Sequence, residues 1–203
     1  MQSRLVYGTL AVASSLVGLF LVPRELFIPA TFVATGVMMA SAYVVRLAPV
    51  GKRPLSFSLV VGAVSAVALY GVFYAGNAGV QALNVPGVST ASEGSIYALI
   101  ASPSNPLFLQ VAVLAFDAAG YEAYFRGVLQ GRLEGRLGVW SAFAVAGLDA
   151  MLHVATLNPL WVGTTFVADS VWGLTYHYGG GMRASVASHF LWDLAIFILR
   201  PIT

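Results

Sequence analysis

Apolar positions in this chain gather into long runs separated by short polar punctuation. The runs extend from Leu5 to Val22, Leu26 to Val45, Leu55 to Gly76, Leu107 to Gly131, Gly138 to Leu157, Leu160 to Tyr178 and Met182 to Leu199. Each is close to the ~20 residues a helix needs to cross a hydrocarbon core, and each is bounded by Pro, Gly or Arg. Within a run the apolar residues are continuous and do not alternate with period two, which points to helices and away from a barrel. The pattern therefore predicts an all-α fold, a polytopic membrane bundle of about seven transmembrane helices in a single membrane domain, 1–203. In that domain 1–106 would supply three scaffold helices and an external loop, and 107–203 the helices that bear a site. The Pro, Gly and Ser of Asn77 to Pro106 predict an irregular connection with a short surface helix near Ile96 to Ile100. The first run is too long and too poor in a cleavage pattern to be a removed signal peptide. No internal repeat of the transporter kind is visible.

Composition supports the membrane assignment. Only 9% of the 203 residues are charged and 59% are hydrophobic, against about 25% charged residues in an ordinary water-soluble domain. A net charge of +2, scattered along the chain, leaves no footprint for nucleic acid. Without cysteine there is no disulfide framework, thiolate zinc cluster or thiol nucleophile. Basic residues orient the chain, because they are retained on the cytoplasmic side. A cytoplasmic N-terminus puts Arg4, Arg46, Lys52, Arg53, Arg132, Arg136 and Arg183 inside, and only Arg24 and Arg200 outside. The expectation is a multi-pass protein of the cell membrane, in contact with lipid, with its C-terminus outside.

The few remaining charges are concentrated. Asp117, Glu122 and Arg126 lie in the fourth run, Asp149 and His153 in the fifth, Asp169 and His177 in the sixth, and His189 and Asp193 in the seventh. Each charge at the bilayer centre costs at least ~2.5 kcal/mol on the insertion scale, so a shared polar cavity is the economical arrangement. Spacing agrees: Glu122 and Arg126, Asp149 and His153, and His189 and Asp193 are each four apart, hence on one helical face. A bundle needs no such convergence for packing, whereas water activation or metal binding does. Asp169 and His177 read as structural, as does the Glu122–Arg126 pair when taken alone.

The segment Gly120-Tyr-Glu-Ala-Tyr-Phe-Arg-Gly-Val-Leu-Gln-Gly-Arg-Leu resembles the first motif, Glu-Glu-x-x-x-Arg running into Phe-Arg-Gly, of the CAAX-protease and bacteriocin-processing (CPBP, Abi) family of intramembrane proteases. Asp149 to His153 resembles its Phe-x-x-x-His motif, and His189 to Asp193 its late His-x-x-x-Asn/Asp motif. The resemblance covers about Leu107 to Leu199. It implies a metal-free and cofactor-free glutamic-type endopeptidase acting on a membrane-associated or lipid-modified peptide or protein, reached from the cytoplasmic side. By the same resemblance, a glutamate and His153 would activate water, His189 with Asp193 would line the oxyanion side, and Arg126 would orient the acids. Such roles suit peptide hydrolysis, which needs a base for water and donors for the developing oxyanion.

Two positions depart from the motifs. Tyr121 stands where the first glutamate of the pair falls, and Asp149 where the family has Phe. A phenol, with a reference pKa near 10, is a poor base. Three readings stay open: Glu122 takes over as base; Asp149 or Asp117 substitutes for it, Asp149 being the better placed; or hydrolysis is lost and the scaffold serves binding. A proton-coupled transporter is a further alternative. Zinc held by His153, His189, Asp193 and a carboxylate is another, although no His-Glu-x-x-His helix is present.

Overall fold

The computed structural model describes residues 2–46, 48, 51, 53–83, 97, 99–100 and 105–202. These residues are helical almost throughout, and no strand occurs among them. Helix α1 is Gln2–Leu21. A 3-10 turn, Arg24–Leu26, leads into α2, Phe27–Val45, and α3 is Leu55–Leu83. Helix α4 begins as Leu107–Glu122, widens into a π-helix over Ala123–Gln130 and returns to α geometry over Gly131–Leu137. Helix α5, Trp140–Leu152, ends in a 3-10 turn, His153–Thr156. Helix α6 is Pro159–Tyr178, and α7 is Met182–Asp193 with a π-helical end, Leu194–Leu199.

Each apolar run thus becomes one helical body, with some ends displaced. Helix α3 continues to Leu83, past Gly76, and Gln81 Nε2 donates to Asn77 Oδ1 at 3.3 Å along its surface. Helix α4 continues to Leu137, past Gly131; Arg132 fastens that extension by donating to the carbonyls of Val128, Val45 and Arg46 at 2.9, 2.6 and 3.1 Å. It stops at Gly138, whose φ of 53° suits glycine. The rest of the long connection lies outside the described residues, and so does most of its expected surface helix; Tyr97, Leu99 and Ile100 are helical.

Among the described residues, four stretches are long and apolar enough to cross a membrane: Ser3–Leu21, Arg24–Val45, Leu55–Leu83 and Met182–Leu199. The protein is a multi-pass membrane protein. Among the described residues the seven apolar runs form seven helical bodies, of which α4 to α6 do not carry the same apolar signal. Helix α4 changes geometry midway, α5 is α-helical for only 13 residues, and α6 carries Asp169 and His177.

Small residues bring the helices together, as membrane packing requires. A Cβ on Gly62 of α3 would lie 2.7 Å from the carbonyl oxygen of Ala184 in α7. One on Gly173 of α6 would lie 2.7 Å from the Cβ of Ala142 in α5. Val12, Leu16 and Met38 of α1 and α2 pack in one core with Tyr124, Phe125 and Val128 of α4.

The bundle has two unlike ends. At one, the Ala48 N–H donates to the Gly127 carbonyl at 2.8 Å, Arg132 ties α4 to the end of α2, and Gly51 sits against the Arg183 side chain. Arg4, Arg46, Arg53, Arg132, Arg136 and Arg183 all belong to this end. The other end holds the α1–α2 and α5–α6 turns and the C-terminal segment, where the Tyr97 hydroxyl donates to the Ile202 carbonyl at 3.0 Å. Asn158 caps α6 there, its side chain accepting from the N–H groups of Leu160 and Trp161 at 3.1 and 3.4 Å.

Candidate active site

The π-helical segment of α4 places the first group of polar side chains. π-Helical turns are uncommon and frequent at functional sites, and this one carries Arg126, fully buried. Arg126 Nη2 lies 2.8 Å from Asp169 Oδ2 on α6, and Arg126 Nε lies 3.5 Å from Glu122 Oε2 one turn back. Arg126 Nη1 also donates to Gln130 Oε1 at 3.3 Å, while Gln130 Nε2 donates to the Gly173 carbonyl at 2.8 Å. A buried cation between two carboxylates is strongly held, because losing either partner leaves a charge uncompensated in apolar surroundings.

Glu122 makes the link to α7. Its Oε1 accepts from His189 Nδ1 at 2.9 Å, which fixes the hydrogen on that nitrogen, since a carboxylate can only accept. His189 Nε2 lies 3.4 Å from Asp193 Oδ2. The Trp172 ring lies nearly parallel to the imidazole, at 13° and 3.6 Å between centroids, and Tyr121 meets it edge-on at 5.5 Å.

A second histidine–acid pair stands on α5. His153 opens the 3-10 turn that ends this helix, and its Nδ1 is 3.1 Å from the Asp149 carbonyl oxygen and 3.6 Å from Asp149 Oδ1. Both neighbours are acceptors, so Nδ1 carries hydrogen and Nε2 keeps its lone pair. Asp149 Oδ2 accepts from the Tyr121 hydroxyl. Asp149 Oδ1 has no hydrogen-bond donor. Asp117, one turn before Tyr121, accepts from Thr35 Oγ1 at 2.8 Å.

Asp117, Tyr121, His153, Asp169, Trp172, His189 and Asp193 all line one cavity of about 540 Å³. Above these polar groups its wall is apolar, with Leu16, Phe20, Phe27, Phe73, Trp161 and Phe197 among the contributors. The Phe20 ring is 4.8 Å from the His153 ring and 5.3 Å from that of Trp161. From the polar floor the cavity rises past Asn77, Pro159, Leu160 and Ile202, toward the end of the bundle opposite the six arginines. An entrance at the basic end, the end expected from sequence to face the cytoplasm, is not what this fold provides. The reason lies in the packing: the basic end is closed by Arg132, by the Ala48 to Gly127 bond and by buried Gln130 and Val128.

The structure brings together Tyr121, Glu122, Arg126, Asp149, His153, His189 and Asp193, with Asp117 at the edge. It leaves out His177, whose Nδ1 is 2.6 Å from Glu134 Oε1 at the basic end. Glu122 is engaged by Arg126 and His189. Among the described residues, no group of three or more His, Asp or Glu side chains is arranged to hold a metal ion. Asp169 was set aside as structural, yet it is the shortest partner of Arg126 and lines the cavity. Its signal was present, since a lone acid amid Val167 to Gly173 needs a cation and Arg126 is the one near mid-membrane. Trp172 and Thr35 left no comparable mark.

Residues 103–195 match the family model described as type II CAAX prenyl endopeptidase Rce1-like. The matched segment contains Asp117, Tyr121, His153, Asp169, Trp172, His189 and Asp193 of the cavity, while Thr35, which donates to Asp117, lies outside it. No curated protein and no solved structure gives a match. The resemblance to the CAAX-protease and bacteriocin-processing family, first visible in three short motifs, extends over the site-bearing segment as a whole.

Proposed function

With residues 103–195 similar to the Rce1-like endopeptidases as premise, we propose that this protein is an intramembrane endopeptidase. It hydrolyses a peptide bond in a membrane-associated substrate through water activated by histidine and carboxylate. The observation that carries this reading is His153, paired with Asp149, at the floor of an apolar cavity that His189, with its own acids, also lines.

In this mechanism His153 Nε2 takes a proton from water as the water oxygen bonds to the scissile carbonyl carbon. The carbonyl π pair moves onto oxygen. Asp149 holds the ring in the required tautomer and faces the charge that the imidazole gains, while Tyr121 holds Asp149. His189, fixed by Glu122 and stacked on Trp172, directs its other ring nitrogen toward the developing oxyanion when that nitrogen carries hydrogen; Asp193 supports that form. Collapse of the intermediate breaks the C–N bond, and the proton on His153 goes to the leaving amine. Arg126, with Asp169, keeps Glu122 in place. Asp149 thus orients the base, and His153 is the base.

Incubating the purified protein in detergent with peptide libraries tests this. Native turnover that is lost in His153→Ala and in His189→Ala is the expected result, and equal turnover in all three proteins overturns the assignment. Tyr121, in the place of an acid, supports a second reading, a membrane binding protein on a peptidase scaffold. Absence of native cleavage, with activity gained in Tyr121→Glu, would favour it.

A further inference from the structure

We propose that the site takes its substrate from the extracytoplasmic side of the membrane, as a peptide with an apolar segment beside the bond to be cut. The proposal rests on the peptidase reading for the word substrate, but not for the direction of access.

Two independent features combine. The first is the cavity's direction. Its lining comes from the second half of α1, the start of α2, the second half of α3, the first half of α4, the end of α5, the first half of α6 and the end of α7. In an antiparallel bundle these half-helices all belong to one end, and no residue of the other end contributes. That other end is sealed: Arg126 and Gln130 are fully buried, Gln130 bonds the Gly173 carbonyl, and Arg132 stitches α4 to the end of α2. The second feature is charge. Six arginines mark the sealed end, and Arg24 and Arg200 alone flank the open one. Lys and Arg near helix ends are retained on the cytoplasmic side, so the sealed end faces the cytoplasm and the open end faces out.

The occupant follows from the wall. Leu16, Phe20, Phe27, Phe73, Trp161 and Phe197 make most of the wall, with Thr31, Asn77 and Thr164 as neutral polar partners and no charged group above the floor, so a charged, soluble peptide would lose hydration that the wall does not replace. An apolar segment loses nothing by entering, and it reaches the polar floor only after passing this wall. Such a segment has already crossed the membrane or stands in its outer leaflet.

The chain contains no cysteine, so single cysteines report without background. Gly76 and Gly163 are exposed and line the mouth of the cavity beside the polar Asn77 and Thr164, outside the apolar wall, and Gly135 lies exposed at the sealed end. At all three positions a Cβ meets nothing within 4 Å. Intact cells carrying the full chain with Gly76→Cys, Gly163→Cys or Gly135→Cys are treated with a charged, membrane-impermeant maleimide, before and after permeabilisation. The expected result is full labelling of Gly76→Cys and Gly163→Cys before permeabilisation, and labelling of Gly135→Cys only afterwards. The inverse pattern overturns the proposal, and so does protection of all three in intact cells. Labelling is read without any turnover, so a chain that cleaves nothing yet labels as expected defeats the peptidase reading and leaves the direction of access standing.

Discussion

The two buried histidines have similar neighbours and unlike situations. His189 is enclosed: Glu122 accepts from one nitrogen, Asp193 stands 3.4 Å from the other, and Trp172 covers its face. His153 has a hydrogen-bond acceptor at Nδ1, the Asp149 carbonyl at 3.1 Å, with the Asp149 carboxylate 3.6 Å from the same nitrogen and the Phe20 and Trp161 rings beside it. A histidine held on both nitrogens is suited to present a fixed donor. One held on a single nitrogen has a lone pair to use. In the proposed mechanism the difference divides the work between two residues of the same type, and it follows from position: His189 lies inside a helix, whereas His153 starts a 3-10 turn at a helix end.

The largest expected effect comes from attacking the His153 pair. Asp149→Asn keeps the shape and removes the charge behind the ring, and should lower turnover by roughly 10²-fold to 10⁴-fold, the range of general acid–base catalysis; initial rates in detergent would show it. On the other histidine, Glu122→Gln removes one of two carboxylates from buried Arg126 and the acceptor from His189. Breaking a buried charge pair costs about 3 to 5 kcal/mol, so the thermal unfolding midpoint in detergent should fall clearly. Asp149→Asn should leave it nearer the native value.

A reciprocal exchange sharpens the comparison. By resemblance, the family carries glutamate where this chain has Tyr121 and phenylalanine where it has Asp149. In the structure the two side chains touch across α4 and α5, so acid and aromatic ring have traded helices. Tyr121→Glu alone sets two acids against each other, and Asp149→Phe alone leaves no acid behind His153. Both singles should lose activity, and the double variant should regain part of it. Purely additive losses in the double variant would contradict the exchange. The smallest effect belongs to Glu134→Gln, whose partner His177 is at the basic end and partly exposed. Pairs of this kind contribute about 0 to 1 kcal/mol, and turnover should be unchanged.

Much of this architecture was legible in the chain, because hydropathy marks helices and four-residue spacing marks faces. Glu122 with Arg126, His189 with Asp193 and Asp149 with His153 were all visible in that way. Contacts between helices were not. Asp169 meets Arg126 across 43 positions of sequence, through a register set by the π-helical turn, and Thr35 meets Asp117 across 82. The direction of the cavity was equally hidden, since hydropathy does not say at which end helices part. Basic residues mark one end of the bundle, and only packing showed that the cavity opens toward the other.

The account's central claim is that His153, oriented by Asp149, activates the water. Its most direct test is the initial rate of peptide cleavage by purified native protein and by His153→Ala, compared at matched unfolding midpoints. The account predicts native cleavage that falls in the variant by roughly 10²-fold or more, as loss of a general base requires. Equal rates in the two folded proteins would contradict it.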